Sequence, residues 1–137
     1  MLNHKTLLTF FFLFSISSFS YSKEEQFVCE YTREMKLSDI DTQNPKSTIN
    51  KISERYTFIL DGNKGYYINL SHGVKNPLTV VVNGGQLIFV ENNRSDNTFI
   101  VTIFLDKRKN NKYPSVYSSH SWGKGFFTPS QSYGECY

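Results

Sequence analysis

The residues able to do chemistry are few and scattered. Of three histidines, His4 lies in the N-terminal apolar stretch, His72 in "SHGVKNP" and His120 in "SSHSW". His72 and His120 stand 48 positions apart. Neither belongs to an H-x-H or H-E-x-x-H pattern of the kind that gathers zinc ligands. Serines are plentiful, yet no G-x-S-x-G turn presents one as a nucleophile. Asp39 and Asp41 make a carboxylate pair inside a polar stretch, where solvation is their simplest role. No glycine-rich phosphate loop opens a helix. The expectation is a protein that is not an enzyme and carries no metal and no cofactor.

The aromatic residues are the more suggestive chemistry. From Tyr113 to the C-terminus come Tyr113, Tyr117, Trp122, Phe126, Phe127, Tyr133 and Tyr137. The single tryptophan stands in "SWGKGFF", a glycine-bearing stretch that reads as a loop. Tyrosine and tryptophan are favoured anchors of recognition surfaces, because a large apolar ring carries a polar tip. Tyr117, His120, Trp122, Lys124 and Phe126 are therefore the candidate partner-binding residues, on a loop face that would take a protein or a glycan. The basic run Lys107, Arg108, Lys109 and Lys112 reads as a solvated turn.

The cysteines sit far apart, Cys29 near the start and Cys136 one residue from the end. The N-terminus suggests their environment. Lys5 precedes an apolar stretch from Leu7 to Phe19, and small residues then alternate at Ser18, Ser20 and Ser22. That is the order of a secretory signal peptide, expected over 1–22, which leaves 23–137 as one β domain. The stretch is short for a membrane span, so no stable membrane insertion is expected. Export would take the cysteines into an oxidising compartment, periplasmic or extracellular. Two cysteines then allow one disulfide, Cys29 to Cys136. Closing a loop of about 100 residues contributes roughly 4–5 kcal/mol in the chain-entropy model.

With Lys5 gone, 14 basic residues face 12 acidic ones, a net +2. So small an excess argues against a nucleic-acid binder.

The elements that must position these residues are strands. "FVCEYTREMKL" alternates, with Phe27, Cys29, Tyr31, Arg33, Met35 and Leu37 on one side. The polar "SDIDTQNPKSTINK" reads as a long loop. "DGNKG" and "NGG" each separate two β-rich runs, as hairpin turns do. "NTFIVTIFLD" is the longest strand candidate, "YPSVYSSHSW" follows the basic turn, and "GKGFFTPSQS" reads as a loop before a last short strand around "YGECY". No helix of ordinary length is expected. The pattern predicts an all-β fold of about eight strands, a small antiparallel barrel closed by one disulfide, with a two-sheet sandwich as the alternative. The continuous apolar runs put Ile100, Phe104, Val81, Ile88 and Val90 on an outer face. Such a face is either covered by a loop or used by a partner or a second copy, a homodimer.

"WGKG", Trp122 to Gly125, together with the bracketing cysteines, loosely resembles the periplasmic and membrane-bound inhibitors of c-type lysozyme. The resemblance implies a small exported β-barrel and gives Lys124 the role of the lysine that enters the lysozyme cleft. The Ser-Gly part of that family's signature is missing upstream of Trp122. The function expected from the residues is an exported, non-enzymatic binding protein. The alternatives are an inhibitor of a lysozyme-type cell-wall hydrolase and a carrier of a small apolar ligand.

Overall fold

The computed structural model describes residues 23–38, 46–69, 72–91, 97–123 and 126–137. The expected signal peptide lies outside the described residues. Eight strands follow in order: β1 (Glu25–Ser38), β2 (Lys46–Asp61), β3 (Lys64–Asn69), β4 (Val74–Asn83), β5 (Gln86–Val90), β6 (Asn97–Phe104), β7 (Tyr113–Gly123) and β8 (Phe126–Cys136). Each pairs antiparallel with the next, and β8 returns to pair with β1, so the sheet is a closed ring. The described helical structure is one short 3-10 turn, Leu105–Lys107. No helix among the described residues is long and apolar enough to cross a membrane.

The expectation of a small barrel closed by one disulfide needs correction on two counts. First, the closure is made by the backbone. β1 and β8 pair from Cys29↔Cys136 to Lys36↔Ser130. Val28 and Tyr137 exchange both main-chain hydrogen bonds, at 2.9 and 3.0 Å. The Cys29–Cys136 disulfide, Cα atoms 3.9 Å apart, is fully buried at one end of that ladder. Outside it, Tyr137 Oη donates to Glu30 (3.1 Å) and accepts from Arg55 (2.9 Å). Second, the ring is uneven. β1 and β2 have 14 and 16 residues, whereas β3 and β5 have 6 and 5. The long strands carry the β1–β2 and β7–β8 hairpins beyond the short ones as a raised wall.

Further corrections follow from the pairing. Lys46–Lys51, expected in a loop, belongs to β2 and pairs with β1 as far as Ser38↔Lys46. "FFTPSQS", also expected as a loop, is the first half of β8, paired with β7 out to Gly123↔Phe126. Ladder hydrogen bonds to a neighbour outweigh a polar or proline-bearing local sequence. Pro129 is tolerated because the β1 ladder has ended at Ser130, so that position has a neighbour on one side only. Pro114 sits likewise, one residue beyond the last β6–β7 pair, Ile103↔Ser115. Finally, the alternation of β1 breaks. A register shift between Tyr31 and Arg33 transposes the faces. Phe27, Cys29 and Tyr31 point inward, but Arg33 and Met35 then align with Tyr133 and Gln131 on the outer side.

One end of the barrel is tight. Its turns are Gly62–Asn63 and Gly84–Gly85, where glycine takes φ of +62°, +54° and +82°, and the Asn110–Asn111 turn at +51° and +61°. These signs suit the primed turns that join twisted hairpins. Inside this end the core is dense: Phe27, Phe58, Leu87, Phe89, Val101 and Ile103 surround the disulfide. Phe58 and Phe89 stack at 5.4 Å. Ile100, Val81 and Tyr133 stay more than one-third exposed on the outside, while Phe104, Ile88 and Val90 are half-buried.

Two stability predictions follow. Removing both sulfurs (Cys29→Ala with Cys136→Ala) is expected to lower unfolding free energy by about 4 kcal/mol in urea titration, the size of the chain-entropy term. A loss under about 1 kcal/mol would mean that the β1–β8 ladder constrains the chain without the bond. Gly134 lies against the irregular turn of β1. A Cβ there would collide with the Glu30 carbonyl oxygen and stand 2.8 Å from Tyr31 Cα. Because those atoms are backbone, Gly134→Ala should cost about 3 kcal/mol, the upper range for overpacking. An unchanged unfolding midpoint would refute the close approach.

Candidate functional site

The other end of the barrel is chemically different. The C-terminal ends of β1, β3, β5 and β7 and the N-terminal ends of β2, β4, β6 and β8 gather there. The inner face of each strand changes character toward it. On β7 the inward positions run Ser115, Tyr117, Ser119, and on β8 they run Ser132, Ser130. On β2 they run Phe58, Tyr56, Glu54.

Tyrosine rings form the floor of this mouth. Tyr56 and Tyr117 stack with centroids 5.2 Å apart and planes 5° from parallel. Tyr117 also stacks on Phe99 at 5.3 Å. Tyr67 meets Phe99 edge-on at 5.9 Å and Tyr56 at 6.4 Å. Tyr31 lies deeper, fully buried, and shares a 2.9 Å hydrogen bond with Ser115. Tyr56, Tyr67 and Tyr117 remain half-buried, so the rings are partly open to solvent at the mouth.

Polar groups ring this floor. Tyr56 Oη donates to Glu54 Oε2 at 2.9 Å. Ser119 and Ser130 share a 2.8 Å hydrogen bond across β7 and β8. The Glu91 amide donates to the Phe99 carbonyl at 3.0 Å, which continues the β5–β6 register and puts Glu91 on the inner side. Burial pushes the Tyr117 hydroxyl well above the ordinary tyrosine range, and the carboxylates of Glu91 and Glu54 push it further. Tyr56 is raised by burial first, then by its bond to Glu54. Tyr31 is raised by burial, against a smaller lowering from Ser115.

The residues singled out in the sequence scatter over this end. Tyr117 is brought into the mouth, but as part of the barrel floor and not on a loop: Val101 and Ser132 flank it in the ladders. His120 is exposed on the outer face of β7, opposite Thr98 and Pro129. Trp122 and Phe126 belong to the last pairs of the β7–β8 hairpin, and Lys124 lies outside the described residues. His72 is exposed just ahead of β4. Among the described residues, no three His, Cys, Asp or Glu side chains are placed to hold a metal. Tyr56, Tyr67, Glu54 and Glu91 were not legible as a site, since they come from β2, β3 and the residue after β5 and are brought together only by the tertiary fold. The one available signal was alternation: Glu54, Tyr56 and Phe58 share a face.

The raised tyrosines set a pH dependence. Their folded pKa values lie above the unfolded value of about 10. The stabilisation of the neutral hydroxyls is therefore complete below about pH 10 and is lost as pH rises through the folded values. An ultraviolet titration should show Tyr31, Tyr56 and Tyr117 ionising only together with unfolding. A single transition with all tyrosines ionising in the folded state would contradict this burial.

No protein-family model matches the chain, and no curated protein and no solved structure matches it either.

Proposed function

We propose that the protein is an exported, non-enzymatic binding protein that takes a protein or glycan partner at the mouth of the barrel. The carrying observation is the half-buried floor of Tyr56, Tyr67 and Tyr117, edged by hydroxyls and carboxylates, at the end where β1, β3, β5 and β7 finish. Stacked rings are rigid, so little side-chain entropy is lost when a partner settles on them. The paired cysteines support a working place in an oxidising compartment. The mouth suits a polar or aromatic-seeking group better than an apolar cargo, because the apolar half of the interior is filled by its own side chains.

The test is affinity capture with the oxidised protein as bait, against exported proteins, cell-wall glycans and a panel of lysozymes. Ser121→Trp would obstruct the mouth from a half-buried inward position without removing a core ring. Thr98→Trp, exposed on the outside, is the control. The proposal expects the captured species to be lost with the first variant and kept with the second. Hydrogen exchange should show protection at Tyr117–Ser121 and Thr128–Ser132. Capture that survives Ser121→Trp, with protection instead along the outer groove of about 420 Å³ lined by Phe104, Val116 and Tyr133, would overturn it.

A further inference from the structure

Apart from the mouth, the outer wall of the barrel holds a depression of about 290 Å³ lined by Arg33, Glu34, Met35, Ile49 and Tyr133. We infer that it binds a small apolar acid, a free carboxylate carrying a short alkyl or aryl group. The carboxylate sits on Arg33 and Lys51, and the tail lies on Met35, Ile49 and Tyr133. The register break in β1 creates this site. Past Tyr31 it turns Arg33 and Met35 outward, beside Tyr133 and Gln131 of β8. On the other side the same two residues oppose Lys51 and Ile49 of β2. Directly opposed residues of an antiparallel pair share a face, with Cβ atoms roughly 5 Å apart. Two cations and an apolar floor are thus gathered on one patch of the outer wall.

The charges select the sign of the ligand. Arg33 and Lys51 face each other across the ladder, and like charges in that position repel. Neither takes part in an ion pair among the described residues. The nearby carboxylates are already matched. Glu34 pairs with Lys36 at 3.0 Å. Glu30 and Glu135 line the neighbouring groove that Arg33 also borders, and they pair with Arg55 at 3.8 Å and Lys112 at 3.1 Å. An anion between Arg33 and Lys51 relieves their repulsion, and a guanidinium offers a carboxylate two parallel N–H donors.

The floor selects the rest of the molecule. Ile49 is 77% exposed and Tyr133 38%, while Met35 is half-buried. Tyr133 Oη donates to Gln131 Oε1 at 2.8 Å, which fixes the ring at the edge of the depression. Inorganic phosphate would meet the cations and leave this apolar surface in water. A hydrocarbon would cover the surface and leave the cations unmatched. An acid with an apolar tail satisfies both. The volume stands at the small end of ligand pockets, so the tail is short.

The test is a titration of the oxidised protein by nuclear magnetic resonance, read at the methyl groups of Ile49 and of Met35, the one methionine besides Met1. Hexanoate and benzoate would be compared with hexanol, hexylammonium and acetate. The two acids should shift both methyl groups, with an affinity that falls as salt is raised. The three controls should bind at least about tenfold more weakly. Arg33→Gln should weaken hexanoate about tenfold, the size of one charge-assisted hydrogen bond, and Lys51→Gln should weaken it as well. Both residues are exposed, and thermal unfolding checks that each variant keeps the fold. Ser121→Trp, which obstructs the mouth, should leave hexanoate binding unchanged.

Equal affinity for hexanoate and hexanol would overturn the inference, as would an unchanged affinity in Arg33→Gln or no shift with either acid. Binding lost in Ser121→Trp would put the acid at the mouth and overturn this site while supporting that one. A peptide with a free apolar C-terminus that binds about tenfold tighter than hexanoate would overturn a free acid as the ligand.

Discussion

The β1–β8 ladder is the constraint on which the rest depends. A sheet of eight short strands has two edges, and each edge would leave a row of main-chain donors and acceptors unpaired. Bringing Glu25–Ser38 against Phe126–Cys136 removes both at once. It also decides what is inside. Only in the closed ring do Tyr31, Ser115 and Ser132 share one interior, although they come from β1, β7 and β8. The disulfide then acts on the unfolded chain more than on the ladder, by holding together ends 107 positions apart.

Closure imposes local exceptions that make sense only together. β1 breaks register after Tyr31, and Gly134 is the residue facing that break. A side chain at Gly134 would run into main chain, so the irregularity in one strand and the glycine in the other are a matched pair. The same change turns Arg33 and Met35 outward, where they border a second outer depression with Ile49 and Tyr133. The prolines obey the same logic from the other direction, placed where a ladder on one side has already ended.

The two ends divide stability from recognition. At the tight end, primed turns and a dense apolar core surround the disulfide. At the other end, rings give way to hydroxyls and carboxylates. Burying tyrosine hydroxyls is costly unless they find partners. Tyr31 finds Ser115, and Tyr56 finds Glu54. The polar lining therefore serves the fold, while Tyr56, Tyr67 and Tyr117 stay half-buried.

Much of this was legible in the residues themselves. Alternation in "FVCEY" and "RYTFIL", and the turn signals "DGN" and "NGG", depend on local geometry, because side chains alternate along any strand and φ > 0 selects glycine. The pairing of Cys29 with Cys136 was legible too, since two cysteines allow one bond. What depended on neighbours was not. "KSTINK" and "FFTPSQS" look like loops alone and become strands only because a partner strand supplies their hydrogen bonds. Tyr117 read as a loop anchor and is a ring in the barrel floor, because inward or outward direction follows from register, which no single segment carries. The site itself, joining Glu54 and Tyr56 of β2, Tyr67 of β3, Glu91 after β5 and Tyr117 of β7, exists only once the ring has closed.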